Sequence, residues 1–103
     1  MASPLIEQYL DLKSKHPDKV LFFRLGDFYE LFDADAIVVS QALSLTLTGR
    51  GKDPNRISMC GMPYHAADKY INQLLEQAFK VALCDQVGES ESGLADRRGT
   101  QVL

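Results

Sequence analysis

The chain has 103 residues, 46% of them apolar and 24% charged, and 11 Lys and Arg against 14 Asp and Glu give a formal net charge of −3. This length and these average fractions indicate one globular domain, residues 1–103, and exclude a disordered, collagen-like or coiled-coil chain. The acidic balance argues against a domain that holds nucleic acid by charge alone, because such domains carry a basic excess.

Helix and strand periodicities alternate along the chain, which predicts an α/β fold of the α+β layered type, with about three helices packed on a mixed β-sheet of about five to six strands. Ser3 and Pro4 have the residue types of a helix N-cap and a first helical residue, and this helix should stop at His16-Pro17. Next we predict strands at Val20–Leu25 and Phe28–Phe32, joined by a turn at Gly26-Asp27, and a helix capped by Asp33 that runs to about Leu43.

In the second half of the chain, turn-forming residues separate shorter periodic segments. The predicted elements are strands at Leu45–Thr48 and Ile57–Met62 with a turn region from Gly49 to Arg56 between them, a helix between Asp68 and Lys80, a strand at Val81–Val87, a polar loop from Gly88 to Arg98 and the beginning of a strand at Thr100–Leu103. An apolar strand at the end of the chain is typical of a domain cut from a longer protein, which is what we expect here.

The two cysteines, Cys60 and Cys84, lie in apolar stretches, so we expect small buried side chains in a reducing, intracellular compartment. His16 and His65 are not at zinc-ligand spacing from them, and the sequence predicts no metal site. No apolar run approaches the roughly 18 residues of a membrane span, and the first residues do not resemble a signal peptide. We therefore expect no membrane partner.

Three motifs that could carry catalysis are incomplete. The segment Gly51-Lys52-Asp53 lacks the Ser or Thr that follows the lysine of a nucleotide-binding P-loop. Asp27 and Glu30 could hold a divalent ion, as in a small metal-dependent nuclease, but no second acidic strand with a following lysine completes that site. Cys60 could meet His65 only through the fold. Core packing is the favoured role for this cysteine, and we predict a noncatalytic domain.

The segment from Phe28 to Glu30 is more unusual. In a strand, Phe28 and Glu30 point to one face and Tyr29 points to the other, so one face must take both a large ring and a carboxylate. A buried core accepts the ring and rejects the charge. If that face is exposed, Phe28 is a surface aromatic that can stack on a ligand or anchor a partner protein. Core packing, recognition of a ligand and protein interaction all remain open from the residues alone.

Four segments resemble, in order and spacing, motifs of the MutS family of DNA mismatch-repair proteins in its N-terminal mismatch-recognition domain. Phe22–Phe32 contains the Gly-Asp-Phe-Tyr-Glu signature, and Leu45–Gly51 is similar to Leu-Thr-x-Arg-Gly. Met59–Ala66 is similar to Met-x-Gly-x-Pro-Tyr-His, and Leu83–Gly88 to Cys-Glu-Gln-Ile-Gly. The resemblance covers nearly the whole chain.

This resemblance implies a domain that reads mismatched double-stranded DNA. Its phenylalanine, here Phe28, enters the minor groove and stacks on a mispaired or unpaired base, and its glutamate, here Glu30, hydrogen-bonds that base. Supporting roles are implied for five further residues, namely a tight turn for Gly26, lining of the wedge for Leu25 and Met59, and contacts with the DNA backbone for Arg50 and Lys52. Arg50 is the best backbone candidate, with Lys52 and Arg56 as weaker ones. Tyr29, Tyr64 and His65 are expected to be structural.

The resemblance also implies properties that belong to a longer parent protein. They are ATP and Mg²⁺ in an ATPase domain, dimerisation through other domains, contact with the remaining MutS domains and recruitment of a MutL-family partner in a bacterial cytoplasm or nucleoid. No cofactor is expected in residues 1–103. With a net charge of −3, this segment is expected to recognise the mispair while other domains supply most of the affinity for DNA.

Overall fold

The computed structural model describes residues 3–85, 88–89, 95–96 and 99–103, with side chains for 3–85 and 101–103. The helices are α1 (Pro4–Ser14), α2 (Asp33–Leu43) and α3 (Ala67–Glu76), and a 3₁₀ turn at Tyr64–Ala66 precedes α3. The strands are β1 (Val20–Leu25), β2 (Phe28–Phe32), β3 (Thr48–Arg50), β4 (Ile57–Pro63), β5 (Val81–Asp85), β6 (Gly88–Glu89), β7 (Ala95–Asp96) and β8 (Gly99–Val102). None of the described helices is long and apolar enough to cross a membrane.

Six of these strands form one mixed sheet in the order β3-β4-β2-β1-β5-β8. The neighbouring strands β1 and β5 are parallel, and every other pair in the sheet is antiparallel. Helices α2 and α3 pack on one face and α1 on the other. The predicted α+β layered fold, with three helices on a mixed sheet, is confirmed.

Two hydrophobic clusters, one on each face of the sheet, hold these layers together. In β1, Phe22 faces α2 and α3, whereas Leu21 and Phe23 face α1. All three are fully buried. A central strand that is covered on both faces must be apolar along its length, which explains the run from Val20 to Phe23.

Asp35 fixes α1 against the sheet. Its carboxylate accepts hydrogen bonds from the Tyr9 hydroxyl (3.3 Å), the Leu21 N–H (3.0 Å) and the Lys13 ammonium group (3.0 Å). Burial and the neighbouring Asp35 raise the pKa of Tyr9 above its ordinary value, so this hydroxyl stays a donor. A buried carboxylate is tolerated here because three donors from α1 and β1 surround it.

Helix α1 begins as predicted, because the Ser3 hydroxyl accepts a hydrogen bond from the Ile6 N–H at 3.3 Å. The predicted cap of α2 is wrong. Asp33 is the first residue of that helix, with φ of +57°, and Phe32 at the N-cap position makes no side-chain cap. Helix α3 ends at Glu76, short of the predicted limit at Lys80, because Ala78 adopts a φ of +67°.

The third strand lies three residues later than predicted. Leu45 follows the left-handed Ser44, and its N–H bonds to the Ser40 carbonyl at 2.9 Å, so the chain is still completing the helix end where a strand was expected. Pairing with β4 begins only at Thr48.

In the predicted polar loop of residues 88–98, Gly88–Glu89 instead pairs with Ala95–Asp96 as β6 and β7. The predicted end of the fifth strand, at residues 86–87, lies outside the described residues. The expected strand at the end of the chain is confirmed by β8.

Candidate nucleic-acid interface

A two-residue turn places Phe28 at the beginning of β2. Strands β1 and β2 form a hairpin in which Leu25 pairs with Phe28 across Gly26 and Asp27. Gly26 has a φ of +58°, and a Cβ built there would meet nothing within 4 Å. Backbone conformation, and not lack of space, therefore favours glycine here.

The side chains of β2 alternate as the sequence predicts. Phe28 is 45% exposed, whereas Tyr29 is only 6% exposed and points to the opposite face. There the Tyr29 ring packs edge-on against Phe22, and its hydroxyl donates to the Asp85 carboxylate. Burial and Asp85 raise the pKa of Tyr29. The structural role expected for Tyr29 and the surface position of Phe28 both follow from this alternation.

The exposed ring belongs to a larger surface on the α1 face of the sheet. Phe32 of the same strand face is fully buried, with its ring centroid 5.0 Å from that of Tyr9 in α1. Phe28, four residues earlier, lies beyond this cover. In the strand pairing, residues from four strands share its face, and we call them the Phe28 surface: Leu25, Phe28, Glu30, Arg50, Met59 and Gly61.

Glu30 is held against the sheet by the absence of a side chain at Gly61. These two residues are paired across β2 and β4. A Cβ at Gly61 would lie 2.8 Å from the Glu30 carboxyl carbon and 2.7 Å from the Tyr29 carbonyl oxygen, both too close for ordinary packing. Gly61 is therefore a site residue that sequence reasoning missed. The motif Met59-Cys-Gly-Met-Pro63 contains this glycine, but the sequence does not indicate that it pairs with Glu30.

Charge and burial act on Glu30 in opposite directions. Partial burial raises the pKa of the Glu30 carboxyl above its ordinary value, and the Arg50 guanidinium partly offsets that rise. Both side chains belong to the same sheet face, because Arg50 pairs with Ile57, which lies four residues before the Gly61 that pairs with Glu30 in the same strand. The result is an acid that takes up a proton more readily than an exposed glutamate.

The three basic residues of the predicted turn region do not act together. Arg50 is exposed in β3 on the Phe28 surface, and Lys52 is exposed in the following loop. Arg56 instead lies across Gly49, which faces the other side of β3, and its Nη1 donates to the Gly51 carbonyl at 3.2 Å. The structure therefore separates Arg56 from the face on which Arg50 lies.

The two cysteines, of which Cys60 was considered as a nucleophile, are packed in the core. Cys60 is 2% exposed, its thiol donates to the Ala36 carbonyl at 3.5 Å, and burial raises its pKa to about 11, the opposite of an activated nucleophile. Cys84 is fully buried, so both cysteines are the packed side chains that we predicted. No group of three or more His, Cys, Asp or Glu able to hold a metal occurs among the residues with described positions.

Known proteins match the sequence throughout. The family model for MutS domain I matches residues 3–103. A DNA mismatch repair protein MutS of Shouchella clausii is 50% identical over 105 residues, covering 100% of this chain and 12% of the relative. Proteins of the same name from Anaeromyxobacter sp. (strain K) and Desulfatibacillum aliphaticivorans are each 53% identical, covering 98% of this chain and 12% of their own lengths. The chain thus spans a small part of each of these relatives.

Proposed function

Because this chain belongs to the MutS family as its domain I, we propose that it recognises mispaired or unpaired bases by inserting the Phe28 ring into the DNA minor groove. The observation that carries this proposal is the exposed Phe28 ring, fixed at the start of a strand, beside a half-buried acid with a raised pKa. Exposure of an aromatic ring to water is unfavourable, and a role in base stacking gives a physical reason for the exposed position of Phe28.

The ring selects a site by the ease of deforming DNA. Wedging a side chain between base steps costs a few kcal/mol of unstacking, and that cost is lowest where pairing is already broken. Stacking of an aromatic ring on a base returns roughly 1–3 kcal/mol and tolerates every base. Phe28 therefore reads the stability of a base pair and not its sequence.

Glu30 adds a penalty that correct duplex cannot relieve. An ionised carboxylate close to phosphates is unfavourable, so Glu30 opposes insertion into matched DNA. At a mispair it accepts a hydrogen bond from a base donor, or it takes up a proton and donates to a base acceptor. Its raised pKa supports the second mode, since less free energy is needed to protonate it.

The other members of the Phe28 surface support the wedge. Leu25 and Met59 are partly buried against the hydrophobic cluster between α1 and the sheet. They supply apolar surface on the same face as the Phe28 ring. Gly26 sets the turn, Arg50 contacts a phosphate from the same face, and Lys52 contacts one from the adjoining loop.

Activities of the whole protein are part of the same proposal. Domains outside these residues supply DNA affinity, dimer contacts, ATP hydrolysis with Mg²⁺ and contact with a MutL-family partner. The named relatives are bacterial, and we place the protein where bacterial DNA is, in the cytoplasm or nucleoid. This domain contributes recognition without chemistry.

A photocrosslink tests the position of the ring. A duplex with 5-iodouracil in a mispair is irradiated with a full-length MutS-family chain carrying this domain, and the crosslinked residue is identified by mass spectrometry. We expect the crosslink at Phe28, its loss in Phe28→Leu, and little crosslinking when the same base is correctly paired. A crosslink that maps to Tyr64 or to α1, or that persists in Phe28→Leu, would overturn the proposal.

A further inference from the structure

Three contacts meet at the turn that carries Phe28. The Arg24 Nε donates to the Gly26 carbonyl oxygen at 2.5 Å, and the Arg24 guanidinium lies 3.6 Å from the centroid of the Tyr64 ring. The Tyr64 N–H donates to the Asp27 carbonyl at 2.8 Å. Both residues of the turn are thus held through their carbonyl groups, one by Arg24 and the other by Tyr64.

We propose that Arg24 and Tyr64 act as positioning residues, forming a clamp that holds the Gly26-Asp27 turn and so fixes the Phe28 ring before DNA binds. The inference rests on the proposed function of Phe28 and adds to it two residues on the opposite face. Arg24 pairs with Tyr29 across the hairpin, so its side chain points away from the Phe28 surface. It therefore acts through the backbone of the turn.

The hydrogen bond at Asp27 continues the ladder between β2 and β4 beyond the end of β2. Phe28 pairs with Pro63 of β4, and the bond from the Tyr64 N–H to the Asp27 carbonyl flanks that pair. This pattern makes Phe28 and Pro63 a non-hydrogen-bonded pair of the antiparallel ladder, so the missing N–H of proline removes no bond here. The turn before Phe28 is therefore tied to β4 through Asp27 and Tyr64. A stacked guanidinium keeps Tyr64 in place on the other side.

A ring that pushes bases apart must itself resist displacement. If the turn moved freely, ordering it on binding would subtract from the stacking energy. Fixing it in advance leaves more of that energy for recognising the lesion. Since matched DNA never receives the ring, loss of the clamp should weaken mismatch binding selectively, by about 2- to 10-fold.

The first test is a double-mutant cycle in a full-length MutS-family chain carrying this domain. We expect Arg24→Ala and Arg24→Lys to lower affinity for a mispaired duplex and leave matched affinity unchanged, because lysine has no planar guanidinium to stack. Tyr64→Phe should keep the unsubstituted preference, whereas Tyr64→Leu should lose it. In a Phe28→Ala background, Arg24→Ala should cause no further loss.

Two results would overturn the clamp. If Arg24→Ala weakens matched and mismatched binding alike, and does so equally in the Phe28→Ala background, Arg24 is a direct phosphate contact. If the preference is unaffected in the single variants, the turn needs no clamp.

Hydrogen exchange of the 103-residue chain separates this inference from the function on which it rests. The Tyr64 and Phe28 amides should exchange faster in Arg24→Ala and Tyr64→Leu, with Leu31 in the middle of β2 unchanged. If Phe28→Ala leaves the mismatch preference intact, the proposed function fails, and exchange at the turn still decides whether the clamp exists. Unchanged exchange would overturn the clamp even if Phe28 proves to be the wedge.

Discussion

Replacing Phe28 by alanine should abolish most mismatch preference at little cost to the fold. Phe28 is 45% exposed. Since a fully buried Phe→Ala change costs about 3–5 kcal/mol, roughly half burial implies about 2 kcal/mol. A domain with the usual stability of roughly 5–15 kcal/mol survives such a loss. The missing base stack of roughly 1–3 kcal/mol corresponds to about 5- to 150-fold weaker binding of mispaired DNA, with matched binding unchanged.

The assay is fluorescence anisotropy at one fixed salt concentration, using two duplexes that differ only by one mispair, because protein–DNA affinities vary steeply with salt. Leu75→Ala is the matched control, since Leu75 is an apolar side chain that is 39% exposed on α3, the helix on the opposite face of the sheet from Phe28. It should bind both duplexes normally. The reasoning is refuted if Phe28→Ala keeps its mismatch preference while remaining folded, or if Leu75→Ala loses as much.

Three further predictions concern the neighbours of the ring. Because burial raises the folded-state pKa of Glu30, the free energy of unfolding should fall as pH rises from the ordinary glutamate range through that raised value. In urea titrations Glu30→Gln should lack this pH dependence, and it should bind matched DNA more tightly; an unchanged pH dependence would show that Glu30 is not its cause. Gly61→Ala should destabilise the domain by about 1–3 kcal/mol, seen in the same titrations, and reduce mismatch preference, because the new Cβ displaces the Glu30 carboxyl; normal stability and preference would show that the space is not needed. Arg50→Ala should lower the salt dependence of DNA binding by about one phosphate contact, whereas Arg56→Ala, on the other face, should not; equal effects would remove the distinction between the faces.

The local part of this site was predictable and the paired part was not. A two-residue turn fixes the hairpin register, so the period-two alternation that places Phe28 and Glu30 on one face and Tyr29 on the other follows from the sequence. The position of Gly61 opposite Glu30 depends on how β2 meets a strand about 30 residues later, and no local pattern encodes that register. The contact of Arg24 at the turn could not be predicted for the same reason, because its stacking partner Tyr64 follows β4 in the chain.

The third strand shows how a local pattern fails. The alternation from Leu45 to Thr48 is typical of a strand. However, α2 ends at the left-handed Ser44, and the Leu45 N–H bonds to the Ser40 carbonyl of that helix. Leu45 then packs against the cluster beneath α2 and α3. Strand formation starts where β4 offers a partner, at Thr48, and this shift is what brings Arg50 onto the Phe28 surface. Tertiary pairing thus decided a site residue that propensity would have left in a turn.

The net charge of −3, which first argued against a nucleic-acid binder, fits the proposed mode of recognition. Specificity is a difference between two affinities, and it increases when binding to the wrong target is made unfavourable. An acid beside the wedge lowers affinity for every duplex and is relieved only where a base can pair with it. Arg50 on the same face limits this penalty without cancelling it, since the pKa of Glu30 remains raised. A basic domain would bind matched DNA well, and the difference between its affinities for mispaired and matched DNA would be smaller.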